Sequence, residues 1–184
     1  GDNTDSSNPK IDFGTNINPK ALNEIGISFF GAGNYATASL LPHFQSKNNI
    51  NLNGLVTASG RTASSVASQF NFSFCSDNYS DLLDKNTDAV VITSRHDSHA
   101  KAVSNALKAR KHVYVEKPLA LKVEELIEIN SHYTNAEETN LMVGFNRRFA
   151  PATLNVLKHF EGNTTPLVIN LSLIHISEPT RPQC

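Results

Sequence analysis

The sequence predicts an α/β fold, a parallel sheet wound with helices on both faces. Three observations carry this. Short apolar runs alternate with stretches of helical spacing between about residues 25 and 143. The first apolar run passes straight into the turn Gly31-Ala32-Gly33-Asn34-Tyr35-Ala36. Residues able to do chemistry gather just after later apolar runs, where an open parallel sheet places its ligands.

Taken in order, the run 25–30 is broken only by small residues, as in a strand buried on both faces. Leu40, Leu41 and Phe44 give residues 34–45 helical spacing. A strand over 52–57 and a helix over 61–69 follow, and no strand is assigned between 70 and 88. Ala89 to Ile92 is the next strand, then a helix over 100–109 with its alanines and Leu107 turned inward. A strand over 112–115, a helix over 123–129 and a strand over 141–143 complete the alternation. After Arg148 the pattern changes, with a helix expected over 151–160 and a strand over 166–171.

The expected organisation is therefore a linker over 1–24, rich in Asn, Asp, Ser and Pro, then a doubly wound sheet of Rossmann type over 25–150. Residues 151–170 read as the start of a truncated α+β substrate domain. The stretch LSLIHISEPTR resembles the translation of a transposon-end sequencing adapter. On that reading 171–184 is a non-native tail, the chain is a fragment, and His175 and Cys184 carry no chemistry.

Bulk composition narrows the function classes. Hydrophobic residues make up 39% and charged residues 18% of 184, with a formal net charge of −1. No basic excess points to nucleic acid, and no apolar stretch reaches the roughly 20 residues a membrane span needs. The polar N-terminus shows no secretory signal. Two cysteines, Cys75 and Cys184, make neither a zinc set nor a disulfide framework, so a cytoplasmic setting is expected.

The glycine turn is the first candidate site. Gly31 permits a tight bend, Gly33 lets the backbone approach a diphosphate, and the small Ala36 lets the helix pack close to the strand. The helix start, with Asn34 and Tyr35, offers free N–H groups to an anion. A dinucleotide, NAD or NADP, is the ligand this suits. After the second strand the chain reads Thr57-Ala58-Ser59-Gly60-Arg61, with no carboxylate for the ribose hydroxyls. Ser59 and Arg61 suit a 2′-phosphate better, which leans the expectation to NADP. The plainer reading leaves Arg61 solvated in its helix.

Two further clusters sit at the same expected edge. Thr93-Ser94-Arg95-His96-Asp97-Ser98-His99 follows the strand 89–92. Asp97 or Ser98 can cap the next helix, which accounts for either without a ligand. No metal is expected, since no carboxylate or cysteine cluster accompanies His96 and His99 at ligand spacing. Glu116-Lys117-Pro118 follows the strand 112–115. A lysine there could be desolvated beside a cofactor and exchange protons; a surface salt bridge is the alternative.

GAGNYA, RHDSHA, VYVEKPLAL and GFNRRFAP, in this order, resemble the glucose–fructose oxidoreductase/inositol dehydrogenase family (Gfo/Idh/MocA) over about residues 25–170. The pairing of RHDSHA with GFNRRF is most similar to its bi-domain oxidoreductases, in which a zinc-type alcohol-dehydrogenase-like region comes first. The resemblance implies that Gly31, Gly33, Asn34, Tyr35 and Ala36 form the diphosphate turn. It implies that Thr93, Ser94 and His99 lie beside ribose and nicotinamide. Glu116, Lys117 and Pro118 match the EKP motif, whose lysine is implicated in substrate binding and proton transfer. Asn146 and Arg147 fall where relatives border cofactor and substrate. The acidic residue that many NAD-using members carry after the second strand is missing. The family's second-domain catalytic Asp and His fall beyond the sequence.

The expected activity is hydride transfer between nicotinamide and a hydroxyl-bearing carbon of a sugar, cyclitol or related small molecule, with Lys117 as the catalytic residue. A homo-oligomer through the missing second domain is also expected. The alternative is a dinucleotide-binding sensor or scaffold without catalysis. An intact EKP lysine argues against it, because a pure binder has no need of that group.

Overall fold

The computed structural model describes residues 10–13, 24–58, 60–136, 138–166 and 168, with the side chains of 60–62 outside the description. The tail 171–184 and most of the strand expected over 166–171 lie outside it. The chain divides into two compact units, residues 1–145 and 146–184.

The first unit holds a seven-stranded sheet: β1 (Ile11–Asp12), β2 (Ile25–Phe30), β3 (Ile50–Val56), β4 (Phe74–Ser76), β5 (Ala89–Ile92), β6 (His112–Glu116) and β7 (Leu141–Gly144). Their order in space is β1-β4-β3-β2-β5-β6-β7. Six strands are parallel, and only β1 runs antiparallel, Ile11 facing Cys75 and Asp12 facing Phe74. This is the Rossmann arrangement expected from the sequence. Two residues of the segment expected to be linker belong to the sheet.

The connections after β2 step one way across the sheet, and those after β5 step the other. The helices therefore pack on opposite faces and leave a crevice at the carboxyl ends of β2 and β5. Successive residues of β5 show the two-residue period directly: Val91 joins one core, Val90 and Ile92 the other. The first core includes Phe29, Leu55 and Phe72 under α1 (Leu41–Gln45) and α2 (Gly60–Gln69). Phe29 meets Phe44 and Phe72 edge-on, with centroids 5.5 and 5.9 Å apart. The second core packs Val56, Ile92 and Val115 against α3 (His96–Lys108) and α4 (Val123–Asn135).

Several elements differ from expectation for identifiable reasons. The helix after the glycine turn is interrupted by a π-helical stretch, Ala36–Leu40, with the Leu41 N–H bonded to the Ala36 carbonyl. Pro42 has no N–H to continue an ordinary ladder, and a wider turn accommodates it. β4 falls where no strand is expected: it is only three residues long, and its Phe74 continues a Phe70, Phe72, Phe74 run that starts at the end of α2. A 3-10 helix, Tyr79–Leu83, fills the rest of that gap. α3 begins at His96 rather than Ala100, so half of the expected ligand loop is its first turn. α4 runs on to Asn135, with the Glu125 carboxylate accepting from the Leu121 and Lys122 N–H groups at its start.

The second unit holds a 3-10 helix, Asn146–Phe149, and α5 (Pro151–His159), which begins with proline where no N–H is required. Arg148 lies over the Phe149 ring, 5.9 Å from its centroid.

Candidate functional site

The crevice is floored where β2 and β5 end. The Thr93 N–H donates to the Phe30 carbonyl at 2.8 Å, and the Thr93 hydroxyl donates to the Gly31 carbonyl at 3.1 Å. Gly31 has φ +108°, and a Cβ on it would sit 2.6 Å from the Thr93 carbonyl carbon and 2.7 Å from the Ser94 nitrogen. Both backbone conformation and close approach therefore require glycine there.

Gly33 is different. Among the described residues a Cβ on Gly33 would meet no heavy atom within 4 Å, and its φ is not in the left-handed region. Packing among the described residues gives no reason for glycine at this position. A group that must come against the backbone does. Gly33 faces a cavity of about 450 Å³ that Thr57, Ala58, Thr93, Ser94 and Arg95 also line. Asn34 is exposed, Tyr35 is 42% exposed, and Ala36 is fully buried. The residues present fit a dinucleotide diphosphate, held by backbone N–H groups over an open glycine.

An adjoining cavity of about 420 Å³ shares Ser94, Arg95 and Asp97 with the first and reaches Leu121, four residues past Lys117. Lys117 leaves the end of β6 exposed. Among the described residues no element of this unit covers it. Glu116 is half-buried and accepts a hydrogen bond from the Tyr114 hydroxyl at 2.5 Å. Pro118 follows through a cis peptide.

Two expectations about the RHDSHA segment need correction. Neither Asp97 nor Ser98 caps α3; the N-cap is Arg95 and carries no side-chain cap bond. The Ser98 hydroxyl instead donates to the Arg95 carbonyl at 2.7 Å and accepts from the Ser94 hydroxyl at 2.7 Å. His99 is not available as a direct cofactor contact. Its side chain is fully buried, with Nδ1 2.8 Å from the Pro118 carbonyl oxygen and Nε2 3.1 Å from that of Ser94.

Ser59 and the Arg61 side chain lie outside the described residues. Asn146 and Arg147 open the second unit, in its 3-10 helix. Tyr114 is not among the expected site residues; its place two residues before Glu116, on the same face of a strand, is the signal the sequence holds for it. Among the described residues no group of three or more His, Cys, Asp or Glu is placed to hold a metal ion, and no helix is long and apolar enough to cross a membrane.

A parallel sheet that reverses at β2 and β5, with an open glycine over the crevice, defines a dinucleotide-binding α/β domain. The chain belongs to the Gfo/Idh/MocA oxidoreductases: the family model described as an oxidoreductase family with an NAD-binding Rossmann fold matches residues 25–146. An inositol 2-dehydrogenase/D-chiro-inositol 3-dehydrogenase of Lactiplantibacillus plantarum is 31% identical over 108 residues, 58% of this chain and 31% of that protein. A myo-inositol 2-dehydrogenase of Thermotoga maritima is 39% identical over 66 residues, 36% of this chain and 20% of that protein. Among solved structures, a Gfo/Idh/MocA family oxidoreductase from Vibrio cholerae superimposes with a TM-score of 0.66 at 27% identity, over 75% of this chain and 44% of that one. The chain thus spans less than a third of the length of these two curated relatives.

Proposed function

We propose that this chain is the cofactor-binding part of an NAD(P)-dependent dehydrogenase acting on a hydroxyl-bearing carbon of a sugar, cyclitol or related small molecule. The observation that carries the reading is Gly33, a glycine that packing among the described residues does not require, set beside a cavity on the same sheet edge as Lys117. The inositol dehydrogenases among its relatives support the substrate class.

The turn 31–33 binds the diphosphate through its backbone, and Thr93 holds that turn in place through the Gly31 carbonyl. When bound, the dinucleotide supplies hydride acceptance and donation at its nicotinamide ring. Lys117 takes or returns the substrate hydroxyl proton at Nζ. The residues 57–61, lacking a carboxylate, favour NADP over NAD.

Two measurements test this. In the complete protein, Lys117→Ala should remove most turnover and leave dinucleotide affinity within about twofold; unchanged turnover takes Lys117 out of the mechanism. Titration with NADH and NADPH should show tighter NADPH binding, and tighter NADH binding overturns the cofactor preference. A complete protein that binds dinucleotide but never reduces it with any polyol or sugar would be the sensor or scaffold instead.

A further inference from the structure

We propose that His99 is a positioning residue that locks the loop after β5 to the loop carrying Lys117, a role that rests on the functional reading of Lys117. The ring is fully buried in the first turn of α3. Its two nitrogens address the carbonyls of two different loops, Pro118 at 2.8 Å and Ser94 at 3.1 Å. Both carbonyls lie just past the ends of their strands, beyond the last ladder pairs of β5 and β6. Pro118 contributes no N–H of its own to this region.

An apolar side chain at this position would fill the space and leave both carbonyls without the ring. A half-buried carbonyl deprived of its donor costs free energy, and the ring supplies an N–H to one of the two carbonyls that flank it, so a histidine here is better explained by these loop carbonyls than by the packing of α3 alone. The consequence is geometric. Ser94 lines both cavities of the crevice, and Pro118 is bonded directly to Lys117. His99 therefore sets the separation between the crevice wall and the backbone from which Lys117 projects. A neutral ring donates to one carbonyl at a time, and the tautomer decides which loop receives the N–H.

The test has two readouts. In this chain, lysines are reductively methylated with 13C-formaldehyde and the Lys117 signal is assigned by its loss in Lys117→Ala. His99→Leu should shift and broaden the Lys117 signal. His99→Gln retains an N–H donor and should restore part of the native line. In the complete protein, His99→Leu should lower kcat at least tenfold with dinucleotide Kd changed less than threefold, and His99→Gln should recover part of kcat. A native Lys117 signal in folded His99→Leu overturns the proposal. So does a His99→Gln variant no better than His99→Leu in both readouts. Should His99→Leu fail to fold, His99→Gln and His99→Asn carry the test, and native spectra in both overturn it. Failure of the functional reading is seen separately, as undiminished turnover in Lys117→Ala, and leaves the spectroscopic arm intact.

Discussion

The Tyr114 hydroxyl donates to Glu116 Oε1 across 2.5 Å, and the pair lies over Gly144 of the neighbouring strand. The two side chains share one face of β6 because they are two residues apart. Glu116 is paired in register with Gly144, and a Cβ there would come within 2.7 Å of both the Glu116 and the Tyr114 oxygens. The absence of a side chain at 144 is what leaves room for the hydrogen bond beside the lysine loop.

Tyr114→Phe keeps the ring and removes the donor. A hydrogen bond to a charged group contributes about 1.5–3 kcal/mol when buried. Glu116 is only half-buried, so solvent screening reduces the expected loss to about 1 kcal/mol. Gly144→Ala should cost a similar amount, since the atoms it meets are the ends of side chains that can move aside. Urea denaturation of both single variants and the double variant should show a combined loss smaller than the sum, because each disturbs the same pair. Strict additivity would separate Gly144 from the Tyr114–Glu116 contact.

The two crevice glycines should behave oppositely. Gly33→Ala meets open space, so its melting temperature should stay close to native while dinucleotide affinity falls at least about tenfold, or 1.4 kcal/mol. Gly31→Ala places a Cβ against the Thr93 and Ser94 backbone at a φ of +108°. Overpacking alone costs about 1–3 kcal/mol and the backbone conformation adds to it, so this variant should lose stability as well as binding. Thermal melts with and without NADPH distinguish the two. A Gly33→Ala chain that binds normally would remove the main support for a diphosphate at this turn.

Much of this site was legible in the sequence. The strand-to-helix glycine turn, the alternation, and the chemical residues placed after β5 and β6 follow from spacing. Burial inside polar runs did not. His99 sits in RHDSHA, which reads as loop, yet it precedes Val103 by four residues and Ala106 by seven and so continues the buried stripe of α3. β1 and β4 escaped because two or three residues carry too little periodicity to separate a strand from a loop. The interruption at Ala36–Leu40 was encoded in Pro42, whose missing N–H has a structural effect before the proline itself.

Alkali should weaken the fold through one buried acid, Cys75, and one half-buried acid, Tyr79. Burial raises the Cys75 thiol above its ordinary 9.0 and the Tyr79 phenol well above its ordinary 10.0. The Tyr79 hydroxyl also donates to the Ala102 carbonyl at 2.7 Å, a bond its phenolate cannot make. For a group whose folded value is raised, stability is intact below the ordinary value and falls as pH rises beyond it. Denaturation midpoints should therefore show no loss from these two groups up to about pH 9, then decline as first the thiol and then the phenol ionise in the unfolded chain. Combining Cys75→Val with Tyr79→Phe should shallow that decline. An unchanged slope would assign it to other groups.

A buried polar cluster beneath the sheet provides a test of the scaffold independent of the crevice. Thr87 is 1% exposed. Its hydroxyl accepts from Asn53 Nδ2 at 2.9 Å, pairs with the Ser28 hydroxyl at 2.8 Å and donates to Asp84 Oδ1 at 3.3 Å. The Lys111 ammonium meanwhile holds the Asp84 and Thr87 carbonyls, each at 2.7 Å. Thr87→Val preserves the shape and removes every hydroxyl contact. Asn53 retains Asp84 Oδ1 at 2.9 Å, and the Ser28 oxygen still accepts from the Gly54 N–H at 3.1 Å, but the Ser28 O–H is left without its acceptor in the interior. Leaving one such group unsatisfied costs about 1–3 kcal/mol, and urea denaturation should show a loss in that range. Lys111→Met should cost as much or more, because its two bonds are charge-assisted. The double variant should lose less than the sum, since both residues hold the same segment before β5. Dinucleotide affinity should be unchanged in all three, because the cluster lies at the amino end of β5 and the crevice at its carboxyl end; a Thr87→Val chain with weakened NADPH binding and native stability would contradict this division.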